Sequence, residues 1–174
     1  MKKLFASVFK SSASRKQFRK YIVVPDLHGI YSVYQKVEHY LKHEVDKDTA
    51  VIFLGDYMDR GESGVIDGKE FKDAGSYFTI RDILALQRWA EDEGREYIFL
   101  RGNHEIFYEN FFIEGSINAY KQYPFFKDAV EALEHVMRKD NDFSDRFIAF
   151  FKTLRPYYLD KKNGYLFVHA GIDP

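Results

Sequence analysis

The chain contains no cysteine. A disulfide, a thiolate zinc site and a cysteinyl-phosphate intermediate are therefore excluded together. It also lacks any apolar run long enough to span a membrane, and it has no internal repeat, low-complexity tract or interdomain linker. One domain around one core is expected of 174 residues that are 45% hydrophobic and 30% charged. An excess of one charge is missing too: the net charge is −1, which argues against a nucleic-acid or membrane-surface partner. That balance hides an asymmetry. Residues 1–20 carry Lys2, Lys3, Lys10, Arg15, Lys16, Arg19 and Lys20 with no acid, leaving 19 basic against 27 acidic residues in the remainder. This basic N-terminal arm is expected to be a solvated terminus able to touch an acidic surface. Its apolar run Leu4-Phe5-Ala6-Ser7-Val8-Phe9 is shorter than the roughly 7–15 residues of a signal-peptide core. A cytoplasmic location follows as the expectation.

What is present is a rhythm of strand and helix. Tyr21–Val24, Val51–Leu54, Tyr97–Leu100 and Tyr165–Val168 are short apolar runs of the kind that form buried parallel strands. Between them, Ile30–Glu44 carries Val33, Val37, Tyr40 and Leu41, and Thr79–Glu93 carries Ile83, Leu84, Trp89 and Ala90, as amphipathic helices do. Three aromatic-rich helices are expected between Glu105 and Leu154, including Lys127–Arg138 and Ser144–Leu154, with Tyr123-Pro124 and Asp140-Asn141 as breaks. They would form a helical cap. Asp160–Gly164 reads as the turn of a hairpin.

Each strand runs into a polar cluster: Asp26-Leu27-His28-Gly29, Gly55-Asp56-Tyr57-Met58-Asp59-Arg60-Gly61, Gly102-Asn103-His104-Glu105 and His169-Ala170-Gly171. Taken singly, each is an ordinary turn, cap or ion pair. Together they place carboxylates, imidazoles and one amide at the carboxyl ends of strands, where open α/β sheets put their sites. These are donors for first-row divalent metals, and the set reads as a two-metal phosphoesterase centre. Asp56 is expected to bridge the two metals, since a carboxylate has two oxygens. Asp26 and His28 would serve one metal, Asn103 and His169 the other, with a bridging hydroxide as nucleophile.

The ordered motifs resemble the calcineurin-like metallophosphoesterases, most closely their serine/threonine protein phosphatase branch with its bacterial members, from about Tyr21 to the last residue. The run Leu154-Arg155-Pro156-Tyr157-Tyr158 before His169 adds to the likeness. The resemblance implies an α/β fold with a central β-sandwich flanked by helices, and two divalent metals, manganese first, iron or zinc otherwise. It implies a phosphoprotein or phosphopeptide substrate. By the same resemblance His104 protonates the leaving alkoxide, Asp59 orients it, and Arg60, Asn103 and His104 bind the substrate phosphate. An imidazolium held by a carboxylate suits that task near neutral pH, and the planar Arg60 fork suits two phosphoryl oxygens.

Two departures stand out. Pro25 sits where relatives generally have Gly, and relatives continue past His-Ala-Gly to a further metal-binding His and a second phosphate-binding Arg. The domain at 21–174 is thus expected to lack its C-terminal part. Hydrolysis of diadenosine tetraphosphate and a non-catalytic metal- or phosphate-binding module are the alternatives. Glu62–Tyr77 is longer than in relatives and reads as a lid or a plain surface excursion. His39, His43 and His135 read as exposed surface.

Overall fold

The structure, a computed structural model, describes residues 20–116 and 126–171. The expectations for residues 1–19 and for the Tyr123-Pro124 break lie outside these residues. Three of the apolar runs become a parallel sheet in the order β1 (Lys20–Val24), β2 (Thr49–Phe53) and β5 (Glu96–Phe99), with Ile22 paired to Val51 and Ile52 to Ile98. Lys20, counted with the arm above, is the first residue of β1.

The crossovers are α1 (Tyr31–His43) and α2 (Ala74–Asp92). The central strand β2 is buried throughout, so its alternate side chains feed two cores. Val51 and Phe53 enter the large core shared with the helices. Ile52 faces the other way, into a small cluster with Ile98, Leu100 and Tyr158, edged by Tyr21, Leu54 and Phe167. The second cluster is covered by the antiparallel hairpin of β6 (Tyr157–Asp160) and β7 (Tyr165–Val168). Arg155 pairs with Leu100 at the sheet edge before the chain crosses into this second layer. The mixed α/β architecture with a parallel sheet therefore agrees with the expectation, but Tyr165–Val168 is an antiparallel hairpin strand with Tyr165 and Leu166 exposed, not a buried parallel one.

The differences lie in faces and boundaries. Helix α1 buries Tyr34 and Leu41 with Val37 half-buried, whereas Val33 and Tyr40 point to solvent. Helix α2 starts five residues before Thr79, and α5 (Asn141–Thr153) three before Ser144, because Asp73 and Asp140 cap them by accepting the N–H of Ser76 and Phe143. Helices α3 (Glu105–Phe112) and α4 (Lys127–Met137) complete the cap, with Phe126, Phe143, Phe147 and Phe151 in its interior.

The region 62–77 is neither open lid nor plain excursion. It contains the hairpin β3 (Gly64–Ile66) and β4 (Lys69–Phe71), then the first turn of α2. Asp67 and Gly68, at φ 51° and 78°, make its two-residue turn. The tip is pinned to α4: Asp67 faces Lys139 Nζ at 3.1 Å and His135 Nε2 at 3.4 Å. His135 is correspondingly half-buried on the Phe71 ring, not exposed. No helix among the described residues is long and apolar enough to cross a membrane.

Candidate active site

The loops after β1 and β2 are bound to each other through their backbones, and the loop after β5 joins them through side chains. Leu27 and His28 donate their N–H groups to Asp56 O at 3.0 and 2.9 Å, and Gly29 donates to Tyr57 O at 2.9 Å. Behind them lies Glu105, fully buried at the start of α3. Its carboxylate accepts from Asp56 N (2.8 Å), Tyr57 N (3.0 Å) and Gly102 N (2.8 Å). Burial pushes the Glu105 carboxyl up to about 7 against the pull of those donors. Gly55 adopts φ 114°, and a Cβ there would run into the Gly102 backbone, so the second and third loops meet only as glycine. His28, Asp56, Asp59 and Arg60 all have positive φ, at 47°, 50°, 70° and 58°. Such conformations cost about 1–3 kcal/mol each and persist where surrounding bonds over-determine them.

All eight residues singled out from the sequence converge here. Asp56 is 3% exposed; its Oδ1 accepts the His104 N–H at 2.9 Å. Its Oδ2 faces three ring nitrogens, the Nε2 of His28, His104 and His169, at 3.7, 3.8 and 3.6 Å. These separations are too long for hydrogen bonds. Asp26 joins His28 and Asp56 in a group whose ligating atoms all lie within 4.8 Å. On the other side, His169 Nε2 is 2.8 Å from Asn103 Oδ1 and its Nδ1 is 3.7 Å from Asp26 Oδ1.

The residues fit divalent cations, and hydrogen bonding shows why. His28 Nδ1 faces Met58 O at 3.3 Å and His169 Nδ1 faces Leu54 O at 3.1 Å. Donation from Nδ1 to a carbonyl leaves the lone pair on Nε2, the arrangement that metal-binding histidines use. His169 Nε2 and Asn103 Oδ1, 2.8 Å apart, are then close enough to serve as ligands of one shared cation. Carboxylate, imidazole and amide donors suit first-row divalent metals.

A second grouping sits alongside. Asp59 is completely buried, and its Oδ2 is bonded to His104 Nδ1 while its Oδ1 accepts from Arg60 Nε at 2.9 Å. Arg60 Nη2 then reaches His28 Nε2 and His104 Nε2, both at 3.3 Å. Arg60 is exposed, so its guanidinium projects over the mouth of the site.

Three residues here went unassigned in the sequence reading. Glu105 was visible only as the last letter of its motif, and a buried carboxylate at a helix start is what could have marked it. Asp73 and Ser76 form an Asp-x-x-Ser cap whose signal is short and common. Conversely, His39 and His43 stack with ring centres 4.6 Å apart on the exposed side of α1, outside the metal-capable groups found among the described residues.

Fold and site thus define a metal-dependent phosphoester hydrolase. Consistently, a family model of calcineurin-like phosphoesterases matches residues 19–173, and the chain belongs to that family. Comparison with curated proteins finds none that matches.

Proposed function

We propose that the chain is a serine/threonine phosphoprotein phosphatase. The observation that carries this reading is the His104–Asp59 pair beside Asp56, with Arg60 spanning His104 and His28. A serine or threonine alkoxide is a poor leaving group and needs a proton. His104, held through Nδ1 by Asp59, turns Nε2 towards Asp56 Oδ2 and Arg60 Nη2 at the mouth of the site, the place from which that proton is delivered. Asp59 fixes the direction of the ring through its Nδ1. Arg60 holds phosphoryl oxygens and remains charged as negative charge shifts between them. Asp26, His28 and Asp56 would hold one cation, and Asp56, Asn103 and His169 the other, with manganese as the first candidate. When bound, the pair supplies a nucleophilic water and Lewis-acid stabilisation of the phosphoryl group.

Turnover of a phosphoserine peptide, p-nitrophenyl phosphate and diadenosine tetraphosphate by the manganese-loaded protein tests the reading. The phosphopeptide is expected to be hydrolysed with the highest kcat/KM, and His104→Asn should slow it far more than p-nitrophenyl phosphate, whose phenolate leaves unaided. Preference for the dinucleotide would reassign the substrate. Cation binding without turnover of any of the three would mark a binding module.

A further inference from the structure

The segment that leaves Arg60 returns to grip it. After the β3–β4 hairpin, the first turn of α2 packs directly on the catalytic loop. Ser76 Oγ accepts the Asp59 N–H at 2.8 Å. Ser76 in turn donates its own N–H to Asp73 Oδ1 at 3.0 Å, and Gly75 beside it donates its N–H to Glu62 O at 2.8 Å. The backbone is therefore tied on both sides of Arg60, at Asp59 through Ser76 Oγ and at Glu62 through the Gly75 N–H, while Asp73 holds Ser76 in place. Ser76 is wholly buried and Asp73 is 3% exposed. The fit leaves no spare volume: a Cβ on Gly61 would overlap Asp73 Oδ1, and one on Gly75 would overlap Gly29 O.

These ties matter because Asp59 and Arg60 are consecutive non-glycine residues in the left-handed region. An L-residue leaves that region when nothing holds it there. Relaxation of either φ would swing the Asp59 carboxylate off His104 Nδ1.

We propose that Ser76 and Asp73 are positioning residues that hold Asp59 and Arg60 in this conformation and so aim the leaving-group acid. The inference rests on the reading of His104 as that acid. Ser76 acts through Asp59 and then through His104; it touches neither substrate nor cation.

Kinetics of Ser76→Ala, His104→Asn and the double variant, each with measured metal content, test it on a phosphoserine peptide and on p-nitrophenyl phosphate. Ser76→Ala is expected to lower kcat about tenfold on the phosphopeptide, the effect of one hydrogen bond in the transition state, and less than about twofold on p-nitrophenyl phosphate. In the His104→Asn background it should add nothing. Asp73→Asn, which keeps an oxygen for the helix cap, should show the same selectivity to a smaller degree and decides the matter if Ser76→Ala does not fold. In the metal-free protein, the His104 Nδ1 proton is identified by its loss in His104→Asn. It should lie at low field in NMR spectra and move upfield in Ser76→Ala. Equal losses on the two substrates, an additive loss in the double variant, or an unmoved resonance overturn the inference. A His104→Asn protein that loses both substrates equally overturns the acid reading instead.

Discussion

Asp56 and Glu105 show how two carboxylates in one site take opposite tasks. Asp56 turns Oδ2 outward to three imidazoles, while Glu105 is turned inward on three backbone N–H groups. Substitution should separate them. Asp56→Asn weakens the group shared by both cations and is expected to lower occupancy of both, whereas Asn103→Ala should empty mainly the one nearest His169; elemental analysis reads the difference. An Asp56→Asn protein retaining two tightly held metals would refute the bridging assignment. Glu105→Ala instead strands three buried donors, each costing about 1–3 kcal/mol, and should destabilise folding by about 3 kcal/mol or more in urea unfolding. The place of Asp56 among metal-capable side chains was legible because its motif carries such donors next to strand ends. The Glu105 role depends on two amides from another loop, at Asp56 and Tyr57, besides that of Gly102 in its own motif, and no spacing along the chain records the distant pair.

Helix α2 illustrates what the apolar pattern conceals at the level of an element. A search for periodic apolar residues begins the helix where the stripe begins, near Thr79, but the chain turns helical at its cap, Asp73. The same happens in α5, where Asp140 caps ahead of Phe143. In both cases a local side-chain to backbone bond decides the boundary, and in α2 the residues gained, Ala74 to Phe78, are the ones against the catalytic loop. Asp140→Ala should therefore cost about 1 kcal/mol, within the usual range for a lost cap, without altering kcat on the phosphopeptide. Asp73→Ala should cost a similar amount and lower kcat as well. Denaturant midpoints together with kinetics distinguish a cap that only stabilises a helix from one that also holds the site. The sheet strands and the β6–β7 hairpin were legible to within two residues because continuous β-branched and aromatic runs have few alternatives, whereas the three-residue strands β3 and β4 carry no such run and were not. Which face of α1 is buried was not, since Val33 and Tyr40 fit a helical stripe as well as Tyr34 does, and only packing against α2 and the sheet chooses.

Across the whole molecule, the candidate site draws His169 from a layer that rests on the main sheet through a small cluster. His169 follows β7, and the β6–β7 hairpin rests on the small cluster of Ile52, Ile98, Leu100 and Tyr158. A polar tie reinforces it: the Tyr21 hydroxyl on β1 donates to Asp160 Oδ2, and Asp160 also accepts from Lys162 N, Asn163 N and Asn163 Nδ2 at 2.9, 3.0 and 3.0 Å. The chain order of these pieces is plain from the sequence, but their contact is not. Tyr21 reads as one more apolar strand residue until its hydroxyl is seen to reach across 139 positions. The bond to Tyr21 is the leading reason that the Asp160 carboxyl lies below its ordinary value of 3.8, and burial with the same bond raises the Tyr21 phenol to about 12. The signs then follow. A lowered carboxyl contributes stability that is full above pH 3.8 and is lost as pH falls through its folded value; a raised phenol contributes stability that is full below pH 10 and is lost as pH rises towards 12. The hairpin should accordingly loosen at both extremes before the parallel sheet does. Tyr21→Phe should cost about 1 kcal/mol, speed amide exchange at Leu159 and Leu166 but not at Val51 and Ile52, and flatten the acid limb of hairpin stability. Because His169 hangs from β7, the same variant should weaken the cation it shares with Asn103 while leaving the one at Asp26 and His28 in place. Exchange that rises equally in β2 and β7 would show instead that both layers open as a single unit.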